Sequence, residues 1–272
     1  KGPAYSVLYA MKALQDLGLE PKSRIRLIVG IDEESGSACM KYYVKHDEIP
    51  DAAFTADADF PVIHAEKGMF TFRLVWKNDH SQTLPVIEGH AGTRSNVIPG
   101  DAELTVDGKP YQAEGVMGHA STPELGKNAI SLLLEDLNEK FDHPFLKAFH
   151  ELIGMDYNGE RIGLHYEDEV SGKLTLNVGI LDANEDEISV TCNVRYPVTQ
   201  DEDQMLQTLK QAVQAHPVSL ELDPLSKPLY YPLDHPLIQS LMAVYRDITG
   251  DTTEPLAIGG GTYARAVPNT VA

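Results

Sequence analysis

Arg24-Ile25-Arg26-Leu27-Ile28-Val29-Gly30-Ile31-Asp32-Glu33-Glu34-Ser35-Gly36 is the stretch on which the fold class of this 272-residue chain turns. The apolar run from Ile25 to Val29 predicts a strand over 24–30, and three acidic residues follow it side by side. Carboxylates crowded this closely repel one another, so the cluster is tolerable when fully solvated or when a cation neutralises it. Taken alone, Asp32-Glu33-Glu34 reads as a solvated acidic loop. At the C-terminal end of a strand, however, it sits where open α/β sheets place their ligands.

Working outward, Pro3 suits the first turn of a helix, Val7, Leu8, Met11 and Leu14 recur at helical spacing, and Gly18 stops it. A second helix is expected over 37–46 and a short strand over 52–57, ending in Asp57 and Asp59. Helix, strand, helix, strand with acids at the strand ends predicts an α/β layer with a parallel sheet. The pattern changes at Gly68. Phe70, Phe72, Leu74 and Trp76 alternate with Thr71, Arg73 and Val75, a half-buried strand. Further strands are expected over 102–106, 173–181, 187–196 and 218–222, with helices over 127–141, 143–153 and 203–215. A helix opened by Pro236 and closed by Gly250 restores the α/β style, and the Gly-rich turn Ile258-Gly259-Gly260-Gly261-Thr262 follows. The simplest architecture is an α/β domain over 1–68 and 231–272, interrupted by an α+β insert over 69–230.

Composition bounds the function. A formal charge of −19 argues against nucleic acid or an anionic membrane surface as partner and is compatible with binding cations. No apolar run reaches the length of a membrane span, and no secretory signal is visible, so a cytoplasmic enzyme is expected. The two cysteines, Cys39 and Cys192, read as small hydrophobes rather than a disulfide. The start at Lys1-Gly2-Pro3 and the stop at Val271-Ala272 read as ends cut from a longer protein.

Candidate functional residues fall into a few groups. Neighbouring parallel strands would bring Asp57 and the acidic triplet to one sheet edge. Carboxylates there can hold a divalent cation with a bound water while a spare carboxylate removes a proton; the alternative for Asp57 is a solvated loop acid. His64 follows an apolar pair, lacks a partner histidine at ligand spacing and reads as structural. His119, between Gly118 and Ala120-Ser121-Thr122-Pro123, is equally compatible with a functional and a structural role. Arg195 shares one strand face with Ser189, Thr191 and Asn193, as a solvated strand cation or as a carboxylate clamp. The Gly259–Thr262 turn lacks the Gly-Lys-Ser/Thr of a phosphate loop; it is a plain turn or a set of backbone donors for an anion. Asn96 is a polar loop residue with no role of its own in view.

Together, and in order, Gly30–Gly36, Phe54–Gly68, Gly118–Pro123, Asn193–Pro197 and Gly259–Arg265 resemble the bacterial PepV-type dipeptidases of the di-metal aminoacylase/carnosinase clan. The resemblance implies a zinc-exopeptidase-like catalytic domain with an inserted ferredoxin-like lid, two divalent cations (zinc or manganese), a dipeptide substrate and a monomer. It implies Glu33 as general base, Glu34 and Asp57 as metal ligands, and His119 as the group that polarises the scissile carbonyl. Asn96 and Arg195 would contact substrate, and Gly260, Thr262 and Arg265 would hold its carboxylate end. The family's first metal histidine and bridging aspartate would lie upstream of Lys1, its last ligand histidine beyond Ala272, and the segment around Asp107-Gly108 is short against the family. An N-acyl amino-acid deacylase of the same clan and an inactive peptide-binding fragment are the rival expectations.

Overall fold

The computed structural model describes residues 2–33 and 36–272. In chain order the helices are α1 (Gly2–Asp16), α2 (Ala38–His46), α3 (Ala129–Lys140), α4 (Pro144–Leu152), α5 (Glu202–Gln214) and α6 (Pro236–Thr249). The strands are β1 (Ala53–Phe54), β2 (Ile63–Glu66), β3 (Gly68–Lys77), β4 (Ile87–Ala91), β5 (Val97–Ile98), β6 (Asp101–Val106), β7 (Lys109–Glu114), β8 (Gly118–His119), β9 (Glu167–Asp168), β10 (Gly172–Lys173), β11 (Thr175–Ala183), β12 (Glu187–Tyr196), β13 (Ser219–Leu222), β14 (Leu229–Tyr230), β15 (Leu256–Ile258) and β16 (Thr270–Val271). The elements fall into two compact units, Lys1–Glu66 with Leu229–Ala272, and Lys67–Pro228.

In the first unit β2 is the centre of a three-stranded sheet, parallel to β15 and antiparallel to β14, and β1 pairs in parallel with β16. Its core is small: Val62, Ile238, Met242 and Val271, flanked by Tyr231, Leu237 and Leu241. The apolar stripe of α6 supplies Ile238 and Met242, and Gly250, at φ 70°, closes that helix in the left-handed conformation only glycine adopts readily. The helix expected near the N-terminus forms as α1, yet it buries no residue.

The strand expected over 24–30 does not form. A strand needs a ladder for its backbone groups as well as an apolar pattern. Here the arginines that alternate with the apolar residues hold the segment instead. Arg26 donates to Tyr43 (2.9 Å) and Asp47 (2.8 Å), and Arg24 pairs with Glu48. Ile25 and Val29 stay 47% and 70% exposed. The strand expected over 52–57 contracts to β1, so Asp57 stands in an exposed loop beyond it.

The second unit is built on a seven-stranded sheet, β13-β3-β12-β11-β4-β6-β7, with every neighbouring pair antiparallel. The alternation read from Phe70 to Trp76 is the inward face of β3, with all four large residues buried. α3 packs on β6, β7, β11 and α4, and α5 packs on β13. Leu133, Leu134, Leu137, Phe145 and Phe149 join the inward residues of β11 and β12 in one continuous core. Asp107 (φ 48°) and Gly108 (φ 72°) form the two-residue turn of the β6–β7 hairpin, with Val106 opposite Lys109. Pro110 is tolerated because β7 is the sheet edge. No helix among the described residues is long and apolar enough to cross a membrane.

Candidate active site

The acidic loop of the first unit is organised by its first carboxylate. Asp32 accepts from the backbone N–H groups of Ala38 (2.6 Å) and Cys39 (3.1 Å), which open α2 and have no partner within the helix. Those bonds, led by the contact at Cys39, hold the Asp32 carboxyl below its ordinary range. Ser37, the residue before the helix, makes no capping bond with its own side chain, so Asp32 does that work from five residues upstream. Glu33 follows in the half-buried loop; Glu34 lies outside the described residues. Asp57 is exposed.

A second polar system in the same unit surrounds the Gly-rich turn. Thr262 caps a short 3-10 turn, Tyr263–Arg265, by accepting from the Ala264 N–H at 3.1 Å. Glu66, at the end of β2 and fully buried, accepts from Thr262 Oγ1 (2.6 Å), the Thr262 N–H (3.2 Å) and Arg265 Nε (2.8 Å). Arg265 also donates to the Gly260 carbonyl at 2.7 Å. Of the residues expected to hold a substrate carboxylate, Thr262 and Arg265 are thus engaged by an internal carboxylate. A Cβ at Gly261 would stand 2.9 Å from Arg265 Cζ, so a larger residue there would push the guanidinium from its place. Tyr263 reaches the acidic loop: its hydroxyl accepts the Asp32 N–H (3.2 Å) and meets Cys39 Sγ at 3.4 Å. Burial and the Cys39 contact push the Tyr263 hydroxyl up to about 12. His64 is buried, with Nδ1 2.8 Å from the Tyr231 carbonyl, as a structural histidine should be.

In the second unit His119 ends β8, directly opposite Val97 of β5. Asn96 therefore lies beside it, and its carbonyl accepts from the Ala120 N–H at 3.0 Å. The buried Asn177 side chain fixes this loop by donating to the carbonyls of Ser95 (2.8 Å) and Val97 (2.9 Å), while its oxygen accepts from Asn128 (3.0 Å). His119 Nδ1 lies 2.7 Å from the Ser121 hydroxyl and 3.3 Å from the Ser121 backbone N–H. A backbone N–H can only donate, so Nδ1 accepts and the neutral ring carries its proton on Nε2. Burial, then the positive charge of Arg195, pull the His119 pKa below its ordinary value and keep the ring neutral. The arrangement presents a neutral Nε2–H donor, the form suited to polarising a carbonyl oxygen.

Arg195 is 3% exposed, which removes the solvated-cation reading; its Nε donates to Asn193 at 3.2 Å. Lys67 is buried in the same unit and donates to the Lys173 carbonyl. Burial depresses the Lys67 pKa, Arg195 adds to that, and Asp168 opposes it. Sequence reasoning passed over Lys67, Glu66, Tyr263 and Ser121. A usable signal was the charged pair Glu66-Lys67 between the apolar residues of two strands, since buried charges are retained only with partners.

Among the described residues no three His, Cys, Asp or Glu side chains are grouped so as to hold a metal ion. The donors described, Glu33 and Asp57 included, do not by themselves make a metal site.

The chain is 33% identical, over 312 aligned positions, to the Bacillus subtilis (strain 168) protein named "Putative dipeptidase YtjP"; the alignment takes in all of this chain and 66% of that protein. This chain thus spans just under two thirds of the length of that relative. Among solved structures it resembles the aminoacylhistidine dipeptidase of Vibrio alginolyticus (TM-score 0.52, 14% identity, 89% of this chain and 62% of the other). It also resembles a tripeptidase of Staphylococcus aureus (TM-score 0.53, 14% identity, 96% and 58%). At such identities the likeness is one of fold. The model of peptidase family M20/M25/M40 matches residues 1–271, and the chain belongs to that family.

Proposed function

We propose that this chain is the greater part of a metal-dependent, PepV-type dipeptidase, a cytoplasmic monomer, with residues 69–230 acting as its lid. The observation that carries the reading is His119: a neutral imidazole, its tautomer set by Ser121, with a donor ready for a carbonyl oxygen. In this reading Glu33 takes a proton from the attacking water as the water oxygen bonds to the peptide carbonyl carbon. His119 donates to the carbonyl oxygen as it gains charge, and Glu33 returns the proton to the leaving amine. Asn96 and Arg195 contact the substrate. The Gly260–Thr262 turn and Arg265 serve its carboxylate end, Arg265 with part of its charge already taken up by Glu66. Divalent cations, zinc or manganese, belong to the reading through family membership, with Glu34 and Asp57 as ligands. The described donors do not complete such a site, and the steps above are those of the chain's own side chains.

The test is made in the full-length protein with a panel of dipeptides beside N-acetyl and N-succinyl amino acids. Dipeptides should be the better substrates, and Glu33→Ala should lower their turnover by about 10²–10⁴-fold. Undiminished dipeptide hydrolysis by Glu33→Ala removes the base from this role. Preference for the N-acyl amino acids makes the protein a deacylase.

A further inference from the structure

Glu66 is remote in sequence from the acidic loop, yet an unbroken set of bonds within the first unit runs from one to the other. A carboxylate with no access to water is retained only where donors surround it, and three donors from two residues converge on Glu66. Two of them come from Thr262, whose hydroxyl donates to Glu66 while accepting the Ala264 N–H that starts the 3-10 turn. The third comes from Arg265, the last residue of that turn. Both ends of the turn are thereby held, and its first residue, Tyr263, points its hydroxyl at the Asp32 N–H and Cys39 Sγ. The fit is close enough that a Cβ at Gly30 would collide with the Tyr263 hydroxyl. Asp32 in turn caps α2, so the backbone immediately before Glu33 is held from two sides.

We infer that Glu66 and Tyr263 are positioning residues for the acidic loop: Glu66 fixes the Thr262–Arg265 turn, and Tyr263 transfers that fixed position to the backbone that presents Glu33. The inference rests on the reading of Glu33 as the base. It also gives Arg265 a second duty, as the cation that holds the turn.

A double-mutant cycle in the full-length protein tests it, because a chain of contacts becomes a functional coupling only when the coupling is measured. Tyr263→Phe removes the hydroxyl's contacts with the Asp32 N–H and Cys39 Sγ and should lower kcat on a dipeptide about tenfold, with KM little changed. It should also speed hydrogen exchange at the Asp32 amide. Glu66→Gln should lower kcat further, and the double variant should fall no lower than Glu66→Gln alone. Where Glu66→Gln does not fold, Thr262→Val takes its place in the cycle with the same expectation. A merely structural role would lower the melting temperature and leave the kcat of the folded protein intact. Tyr263→Phe at wild-type kcat, or losses that multiply in the double variant, overturn the inference. An inactive Glu33→Ala beside a fully active Tyr263→Phe overturns it alone, whereas an active Glu33→Ala removes the base and this inference with it.

Discussion

Leu133, Leu134, Phe145 and Phe149 stand wholly buried in the core of the second unit, whereas α1 of the first unit buries nothing. The two units hold their chemical groups by different means. His119 and Asn96 sit on short strands and loops pinned to a thick apolar core, with Asn177 as a buried polar peg. The acidic loop has little apolar support and is held by single polar residues: Asp32 on α2, Tyr263 on Asp32, Glu66 on the turn that bears Tyr263. A site held by packing is sensitive to volume, while one held by hydrogen bonds is sensitive to the loss of one donor or acceptor.

Stability should follow burial in the two units. Phe149→Ala should cost about 3–5 kcal/mol by the removal of a buried ring and the cavity left behind. Leu8→Ala on α1, half exposed, should stay within about 0.5 kcal/mol, and urea melts followed at both units read the difference. Equal costs would mean that α1 is buried in the protein as it exists.

Acid should strike the second unit through His143. This buried histidine accepts the Phe145 N–H on Nδ1 (3.1 Å) to cap α4, with the Trp76 ring edge-on to it, and burial lowers its pKa to about 4. The folded protein keeps the ring neutral while the unfolded chain takes up a proton near its ordinary value. The stability present above about pH 6.5 is therefore lost as pH falls toward 4, by on the order of 3 kcal/mol. His143→Asn keeps a capping acceptor without a titrating group and should flatten that pH dependence.

Ser121→Ala leaves a single donor on His119 Nδ1 and should lower turnover about tenfold with the melting temperature unchanged. Unchanged turnover would show that the backbone N–H alone sets the tautomer. Asp201, which caps α5 through the Gln204 N–H (2.9 Å), should cost about 1 kcal/mol on replacement by Ala.

What the sequence disclosed follows the same division. Where a core decides the structure, periodicity is enough: β3, β12, α3, α5 and α6 lie within a few residues of their expected places. The run at 24–30 misled because its apolar residues have no ladder to join, and Arg24 and Arg26 hold it by side chains. The second strand of the β6–β7 hairpin lies outside the expected strands although Asp107-Gly108 is a strong two-residue turn signal. Arg195 was placed on the right face of its strand, but not as buried, because the face opposite the apolar one is covered too. The charged pair Glu66-Lys67 marks a buried site in the sequence, but the partners of Glu66 and Tyr263 lie about two hundred residues away in the chain, a separation no local pattern encodes.

Asn177 gives one consequence for how this chain can vary. Its amide spends both protons on the carbonyls that bracket Asn96 and its oxygen on Asn128. A single base change converts an asparagine codon to an aspartate codon, and Asn177→Asp would keep the shape of the side chain while reversing its polarity. Two carbonyl oxygens would then face an anion where they now face donors. A substitution that any alignment scores as mild would thus be among the most damaging in the second unit, and the genetic neighbourhood of this position is narrower than its chemistry suggests.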